Sequence, residues 1–557
     1  MNPIHMRVRL SELHKSLRRR VSALDLRTWF GDLHETLRRR ISAIDLRVGA
    51  YNLHKTLYRK FPKLMSDPDY QSRLSVYRSR DDEGNSRSLP PDGESIKLRC
   101  MWAVEYYMPS HFDRLIAGFE KLGWDEEDDA LATHSPVQWL RRRRETLSGG
   151  GWINLGPIER PGSKTNIPGT RSASLPDDVA FAQGYLYSIT NSINCIVIAF
   201  MLKEETTLRY DEALRHTYVT ELKSLKRGHA IIGPERQKEA AIRDIRNALR
   251  ADLAAWFAAH LPGFFSSENF GADMPVCEFQ TLTKGKPFPA LDDGTTRRES
   301  YLMALGTDRD TDAWEYENIP GLKFAWPLFY DRPRSHHAII AAHESDFDEE
   351  KLRHYGGRSG EFALAGYLDS RVNVMLGRWA LLPVLSQLER HFNVIRNSSN
   401  LQRRSRKSAI KALKRYGDLY SSCVDIGVVT AELHGFTSDL RHFSHDVASF
   451  KPCHAEFYGE ADANLSTILC ESVSLRSEIL SDSSESFQTV LTQQSGAVGT
   501  LENVRLQRGI SLLTVIIVVL TIFMAWSAFR EEPFWRGTTN EQSQFESGST
   551  PRNTAPR

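Results

Sequence analysis

Apolar positions along the chain follow different rhythms, and the changes of rhythm mark its parts. Leu10, Leu13, Leu17, Val21 and Leu24 fall at i, i+3, i+4 steps, the pattern of an amphipathic helix with one apolar stripe. The pattern repeats: residues 13–27 and 33–47 agree at 11 of 15 positions, and Leu53-His54-Lys55-Thr56-Leu57 opens a third copy. A 20-residue period carries a straight helix through five turns and about 200° more, so successive copies would face opposite ways. Gly31 and Gly49 supply breaks, with Asp32 and Glu35 as an N-cap pair and Asn52 as a weaker cap. Residues 1–65 are therefore expected to form short basic helices in a hairpin-like array.

Residues 66–96 are rich in Ser, Asp, Arg, Pro and Gly with few apolar anchors, which predicts a flexible linker. Beyond it the rhythm alternates between periods. Leu98–Tyr107 is strand-like, Ser110 with Asp113 caps a helix running toward Leu122 and Gly123, and Ser135-Pro136 starts another. Further strands are expected at Val179–Ser188, Cys195–Leu202, Pro275–Leu282 and His337–His343, with a long helix over Arg236–His260. Residues 97–360 thus predict an α+β or α/β domain. From Glu361 the pattern turns helical, over Glu361–Arg396, Ser408–Phe450 and Asp462 onward, and residues 361–509 are expected to form a stalk. Its apolar stripe, Leu480, Phe487, Val490, Leu491, Val498, Leu501 and Val504, is interrupted by Ser481–Ser486, Gly496 and Gly499, giving a loose coiled contact rather than a continuous one.

Ile510–Phe529 contains no charge over 20 residues, about 30 Å of helix and one bilayer core. Arg505 and Arg508 precede it, Arg530, Glu531 and Glu532 follow it, and Trp526, Phe534 and Trp535 sit where an interfacial belt belongs. It is expected to be a transmembrane helix, with a polar tail over 530–557. Ser511, Thr514, Val518, Thr521, Ala525 and Ala528 recur at helical spacing, a small or weakly polar face suited to helix association or to a pore lining.

Charge sharpens this division. The whole chain carries 72 Lys and Arg against 70 Asp and Glu. Residues 1–60 hold +9 and the remainder −7. The triplets Arg18-Arg19-Arg20 and Arg38-Arg39-Arg40 form a basic edge on the repeats; without aromatic interleaving or a nucleic-acid motif, an anionic lipid surface is the expected partner rather than nucleic acid. No secretory h-region precedes the folded part, and the six cysteines are scattered without a C-x-x-C pair, which places the bulk of the chain in a reducing, cytoplasmic compartment. Lys/Arg counts on the two sides of the span tie, so they do not set its orientation.

No catalytic signature stands out. His337, His343 and Glu344 lie in an acidic, His-rich run, but H-E-S-D-F lacks the second histidine of an H-E-x-x-H metal helix. His442, His445 and Cys453 offer imidazole and thiolate ligands if the loop from Asp446 to Pro452 folds back. A divalent cation is the cofactor these six residues would take. Gly149-Gly150-Gly151 lacks the spacing of a phosphate loop, and the basic runs Arg141–Arg144 and Arg403–Arg415 fit solvated helix faces.

The order of strand-helix domain, long helices and a final helix running into the membrane resembles the CorA magnesium-transporter family. Glu502–Phe523 (ENVRLQRGISLLTVIIVVLTIF) is similar to that family's first membrane helix. Where the family carries Gly-Met-Asn, this chain has Ser527-Ala528-Phe529, and a second membrane helix is missing. The resemblance implies a homo-oligomer and leaves metal selectivity open. The expected protein is a single-pass, non-enzymatic membrane protein with a large cytosolic sensing or binding domain. An oligomeric CorA-like channel and an anchored metal-dependent enzyme are the alternatives.

Overall fold

A strand twelve residues long, β1 (Ile96–Tyr107), lies at the centre of the large sheet. Its apolar run is nearly continuous and buried on both faces, as a central strand requires. The computed structural model describes residues 50–57, 70–126, 135–145, 150–163, 169–225, 228–267, 271–290, 300–310, 313–325, 336–347, 360–402, 426–454 and 463–531. The chain divides into two compact units, one running to Ser386 and resuming over Gly435–Ser474, the other made of Gln387–His434 and Leu475 onward. The fold is mixed α and β with one large sheet.

In the first unit, helices α1 (50–57), α2 (Tyr70–Arg78) and α3 (Asp81–Ser88) precede β1. Then follow α4 (Phe112–Leu122), α5 (Pro136–Glu145), β2 (Trp152–Glu159), β3 (Arg171–Ser172), β4 (Val179–Ser188) and β5 (Asn194–Leu202). Next come α6 (Glu204–Arg215), the hairpin β6 (Glu221–Leu225) and β7 (Gly228–Ile232), α7 (Pro234–His260) and α8 (Phe264–Ser267). After β8 (Val276–Leu282) and α9 (Ser300–Leu305) come β9 (Ala313–Tyr316), β10 (Lys323–Ala325) and β11 (His337–His343). The long α10 (Gly360–Gln402) follows, then α11 (426–437), α12 (Leu440–Phe443), β12 (Phe450–Pro452) and α13 (Leu465–Glu531).

The sheet has ten strands in the order β12-β9-β10-β11-β8-β1-β5-β4-β2-β3. β1 pairs antiparallel with β5, from Cys100↔Met201 to Tyr107↔Asn194, and with β8 on its other side. β11 runs parallel to β8. Neighbouring residues of β1 show what covers the sheet, because consecutive side chains point to opposite faces. The Tyr106 hydroxyl donates to the Gly377 carbonyl of α10 at 2.5 Å, and the Tyr107 hydroxyl donates to the Leu261 carbonyl at the end of α7 at 2.7 Å. Helices α10 and α7 therefore pack on opposite faces. On α7 the buried side is Ile242, Leu249, Leu253, Trp256 and Phe257; on α10 it is Val372, Met375, Leu376 and Trp379.

Strands and helices expected over 97–360 are found close to their expected bounds, and the Gly123 stop is a left-handed cap at φ 67°. Three expectations change. Residues 66–96 carry α2 and α3 instead of only linker, and polar groups of α3 bond to distant segments rather than to water. Asp81 accepts from the Thr220 N–H at 2.9 Å, Asn85 exchanges bonds with the Tyr218 backbone at 2.8 and 2.9 Å, and the Ser88 carbonyl accepts from the Lys238 ammonium at 3.1 Å. The helix expected over Ser408–Phe450 stops early in its described part: Asp439 caps α12 after a break, Asp446 turns at φ 59°, and Phe450–Pro452 pairs with β9. The stalk boundary at 361 is likewise crossed, since α10 covers the sheet. Asn52 and the third copy Leu53–Leu57 lie within α1, the Asn52 carbonyl accepting from the Thr56 hydroxyl at 2.8 Å; residues 1–49, Arg18–Arg20 and Arg38–Arg40 among them, lie outside the described residues.

The second unit is helical among its described residues. Arg476 donates to Glu389 at 2.9 Å, Phe392 meets Phe487 edge-on at 5.7 Å, and Ser477, Leu480, Ser484 and Leu491 are buried along α13. In the same helix Asn503–Ser527, 25 residues with an 18-residue apolar core of mean hydropathy 2.5 that is nowhere buried, is long and apolar enough to cross a membrane. The Thr514 and Thr521 hydroxyls donate to the Ile510 and Ile517 carbonyls one turn back, at 2.9 and 2.8 Å. Ser511, Val518 and Ala525 share their exposure; the Ala528 side chain lies outside the described residues.

Candidate functional site

A cavity of about 390 Å³ opens in the first unit, beside the end of the sheet where β2 starts and β4 stops. The Gly150-Gly151 backbone forms part of its wall, at φ 95° and 103°, a region that only glycine enters without strain. The space at these glycines is filled by other side chains. A Cβ on Gly150 would lie 2.9 Å from His442 Nε2, and one on Gly151 would collide with the Arg143 guanidinium. The Gly151 carbonyl accepts from the Ser188 N–H at 3.0 Å, which ties this turn to the end of β4.

Each side chain of the wall is set by its own element. Arg143 sits in the last turn of α5, anchored by buried Trp139 and Leu140, with its guanidinium 5.3 Å from the Trp139 ring. Trp152 opens β2 opposite Tyr187 of β4; it is 49% exposed, lies 6.0 Å from Tyr185, and Tyr185 stacks on Tyr187 at 6.4 Å. Val374 and Arg378 are one turn apart on α10. His442 belongs to α12, where Asp439 accepts from its N–H at 3.4 Å, and its ring meets Phe436 edge-on at 5.2 Å. His445 pairs with Asp446 at 3.2 Å.

Arg378 is the unusual member. It is 7% exposed, its Nε donates to the Phe443 carbonyl at 3.1 Å, and its guanidinium lies 4.6 Å from the Phe436 ring and 5.6 Å from that of Phe443. No carboxylate among the described residues pairs with it. Burial pulls its pKa below the ordinary arginine value, against an opposing pull from Tyr106 and Cys195. A guanidinium stays charged in proteins, so the cavity contains a desolvated cation.

The metal candidates do not assemble. His337 Nε2 faces Glu278 at 3.4 Å and its Nδ1 lies 3.0 Å from Arg250 Nη2, deep in the sheet core. His343 caps a short turn through Ser345, and Glu344 pairs with Arg99 at 2.7 Å and Lys97 at 3.1 Å. Cys453 packs against the apolar cluster around Ala313 and Ile339. Only His442 and His445 meet at one place, and it is the basic cavity. Among the described residues no three His, Cys, Asp or Glu side chains form a metal-holding group. Cys195, Cys277, Cys453 and Cys470 are free thiols.

Sequence reasoning passed over Arg378, Trp152 and Tyr187 and set aside Gly150, Gly151 and Arg143. One signal was present: Arg378 is the sole charge in the apolar stretch Val372–Leu388, where a charge needs a reason. Comparison with family models, curated proteins and solved structures gives no match, so function is argued from this geometry.

Proposed function

We propose that the protein is a single-pass, membrane-anchored binding protein whose sheet unit takes a small ligand in the Arg378 cavity, without catalysing a reaction on it. The observation that carries the anchor is the 25-residue Asn503–Ser527 stretch, none of it buried. An apolar surface of that length is incompatible with water and matches one bilayer crossing. Satisfaction of Thr514 and Thr521 within their own helix lets the span sit in lipid without a polar neighbour, which supports an anchor over a pore lining. A cytosolic sheet unit and self-association through the Ser511, Thr514, Val518, Thr521 and Ala525 face belong to the same reading, as does anionic lipid at the N-terminal repeats.

Fractionation tests it. The full-length chain is expected to stay with membranes through alkaline carbonate and to require detergent, whereas a chain ending before Asn503 is expected in the soluble fraction. A full-length chain that remains soluble and monomeric without detergent would overturn the anchor. The CorA-like channel is the second reading, favoured by the single helix Leu465–Glu531 running into the span. It requires ion flux in liposomes that falls when Thr514 or Thr521 is made bulky.

A further inference from the structure

The cavity combines two arginines and two histidines with a single carboxylate. Arg143, Arg378, His442 and His445 approach it from α5, α10 and the segment around α12, while Asp446 is held by His445. Apart from Nε, the Arg378 guanidinium finds no acceptor among the described residues, although the side chain is nine-tenths buried. A buried charge of that kind is stable only when something compensates it, and the aromatic rings of Phe436 and Phe443 compensate in part. A guanidinium fork matches the paired oxygens of a carboxylate or phosphate.

Geometry narrows the class. The donors come from three separate elements, so each can meet a different oxygen of a tetrahedral oxyanion, which offers more acceptors than a flat carboxylate. The space exceeds what a bare oxyanion fills, since about 390 Å³ lies within the range of small-molecule pockets. Beside Gly150, Gly151 and Ser188 the wall holds Trp152, Tyr187 and Val374, a surface for a flat ring. We infer that the cavity is a binding site for a small organic phosphate of mononucleotide size, its phosphate beside Arg378 and Arg143 and its ring against Trp152. This rests on the binding function proposed above and names its ligand class.

The test is titration calorimetry on the full-length protein in detergent with four probes: adenosine 5′-monophosphate, inorganic phosphate, adenosine and citrate. The monophosphate is expected to bind, inorganic phosphate about tenfold more weakly for want of the ring contact, and adenosine not measurably. Arg378→Met is expected to lower monophosphate affinity by about 100-fold. Arg143→Gln, on a partly exposed helix end, is expected to lower it by about tenfold and carries the test if Arg378→Met does not fold. Trp152→Leu is expected to weaken the monophosphate and leave inorganic phosphate unchanged. Adenosine binding as tightly as its monophosphate, or monophosphate binding unchanged in folded Arg378→Met, overturns the proposal. Arg378-dependent preference for citrate overturns the phosphate class and leaves a binding protein. Silence from all four probes overturns both.

Discussion

Arg246 and Arg378 lie in the same unit and have opposite surroundings. Arg246 of α7 faces Glu278 of β8, donating from Nε at 3.0 Å and from Nη2 to the second oxygen, with a further bond to the Leu305 carbonyl at 2.7 Å. His337 and Tyr210 close the same carboxylate from other sides at 3.4 and 3.3 Å. Arg378 has rings and one carbonyl. A charge met by its own carboxylate is committed to the fold, because either partner alone would be left unsolvated. A charge met by an open cavity is committed to whatever enters. The difference separates structural from functional burial without any appeal to sequence motifs.

The largest test of this contrast is Arg246→Met, which strands Glu278 and is expected to cost about 3–5 kcal/mol in urea unfolding of the detergent-solubilised protein. Next comes pH. Burial opposes the Glu278 charge, but Arg246 and His337 override it and bring the carboxyl from 4.5 down to about 2. Burial takes His337 from 6.5 down to about 4 against the pull of Glu278. Both groups bind fewer protons folded than unfolded, so their share of the stability is expected to be complete above about 6.5. It is then lost as pH falls toward 2, with the Glu278 share on the order of 3 kcal/mol. Glu278→Gln should flatten the lower part of that profile. A Glu278→Gln profile parallel to that of the wild type between pH 4.5 and 2 would contradict the buried pairing.

Third is Gly151→Ala, which meets both a positive φ and the Arg143 guanidinium. It is expected to cost about 1–3 kcal/mol and to displace Arg143, lowering ligand affinity as Arg143→Gln does. Smallest is Arg378→Met itself. Its melting temperature is expected to equal or exceed that of the wild type, since an apolar side chain replaces a charge with no carboxylate to strand. A loss like that of Arg246→Met would make the two arginines equivalent and remove the argument for a site.

Strands were legible because buried runs such as Cys195–Leu202 and Val276–Leu282 offer few alternatives to a central strand. The apolar span was legible from length alone. Helices α2 and α3 were not, since Asp81, Asn85 and Ser88 act through partners near residues 218–238, and no local window contains those partners. The cavity was scarcely legible for the same reason. Its wall is drawn from residue 143 to residue 446, and only the fold brings Gly150 against His442. The histidines were noticed for metal chemistry; the arginines that surround them change the expected sign of the ligand.

The short strand β12 has a consequence for the order of folding. Phe450–Pro452 closes one edge of the sheet by pairing with Ala313–Tyr316, so more than a hundred residues are synthesised between the two halves of that contact. Until they arrive, β9 presents an unpaired edge, the kind of surface that templates association with other chains. Closing so large a loop also makes this among the slower steps of assembly. A nascent or truncated chain ending near residue 360 therefore exposes both an open sheet edge and the apolar face that α10 covers, and its fate is to be held by chaperones or to aggregate rather than to fold as a smaller version of the unit.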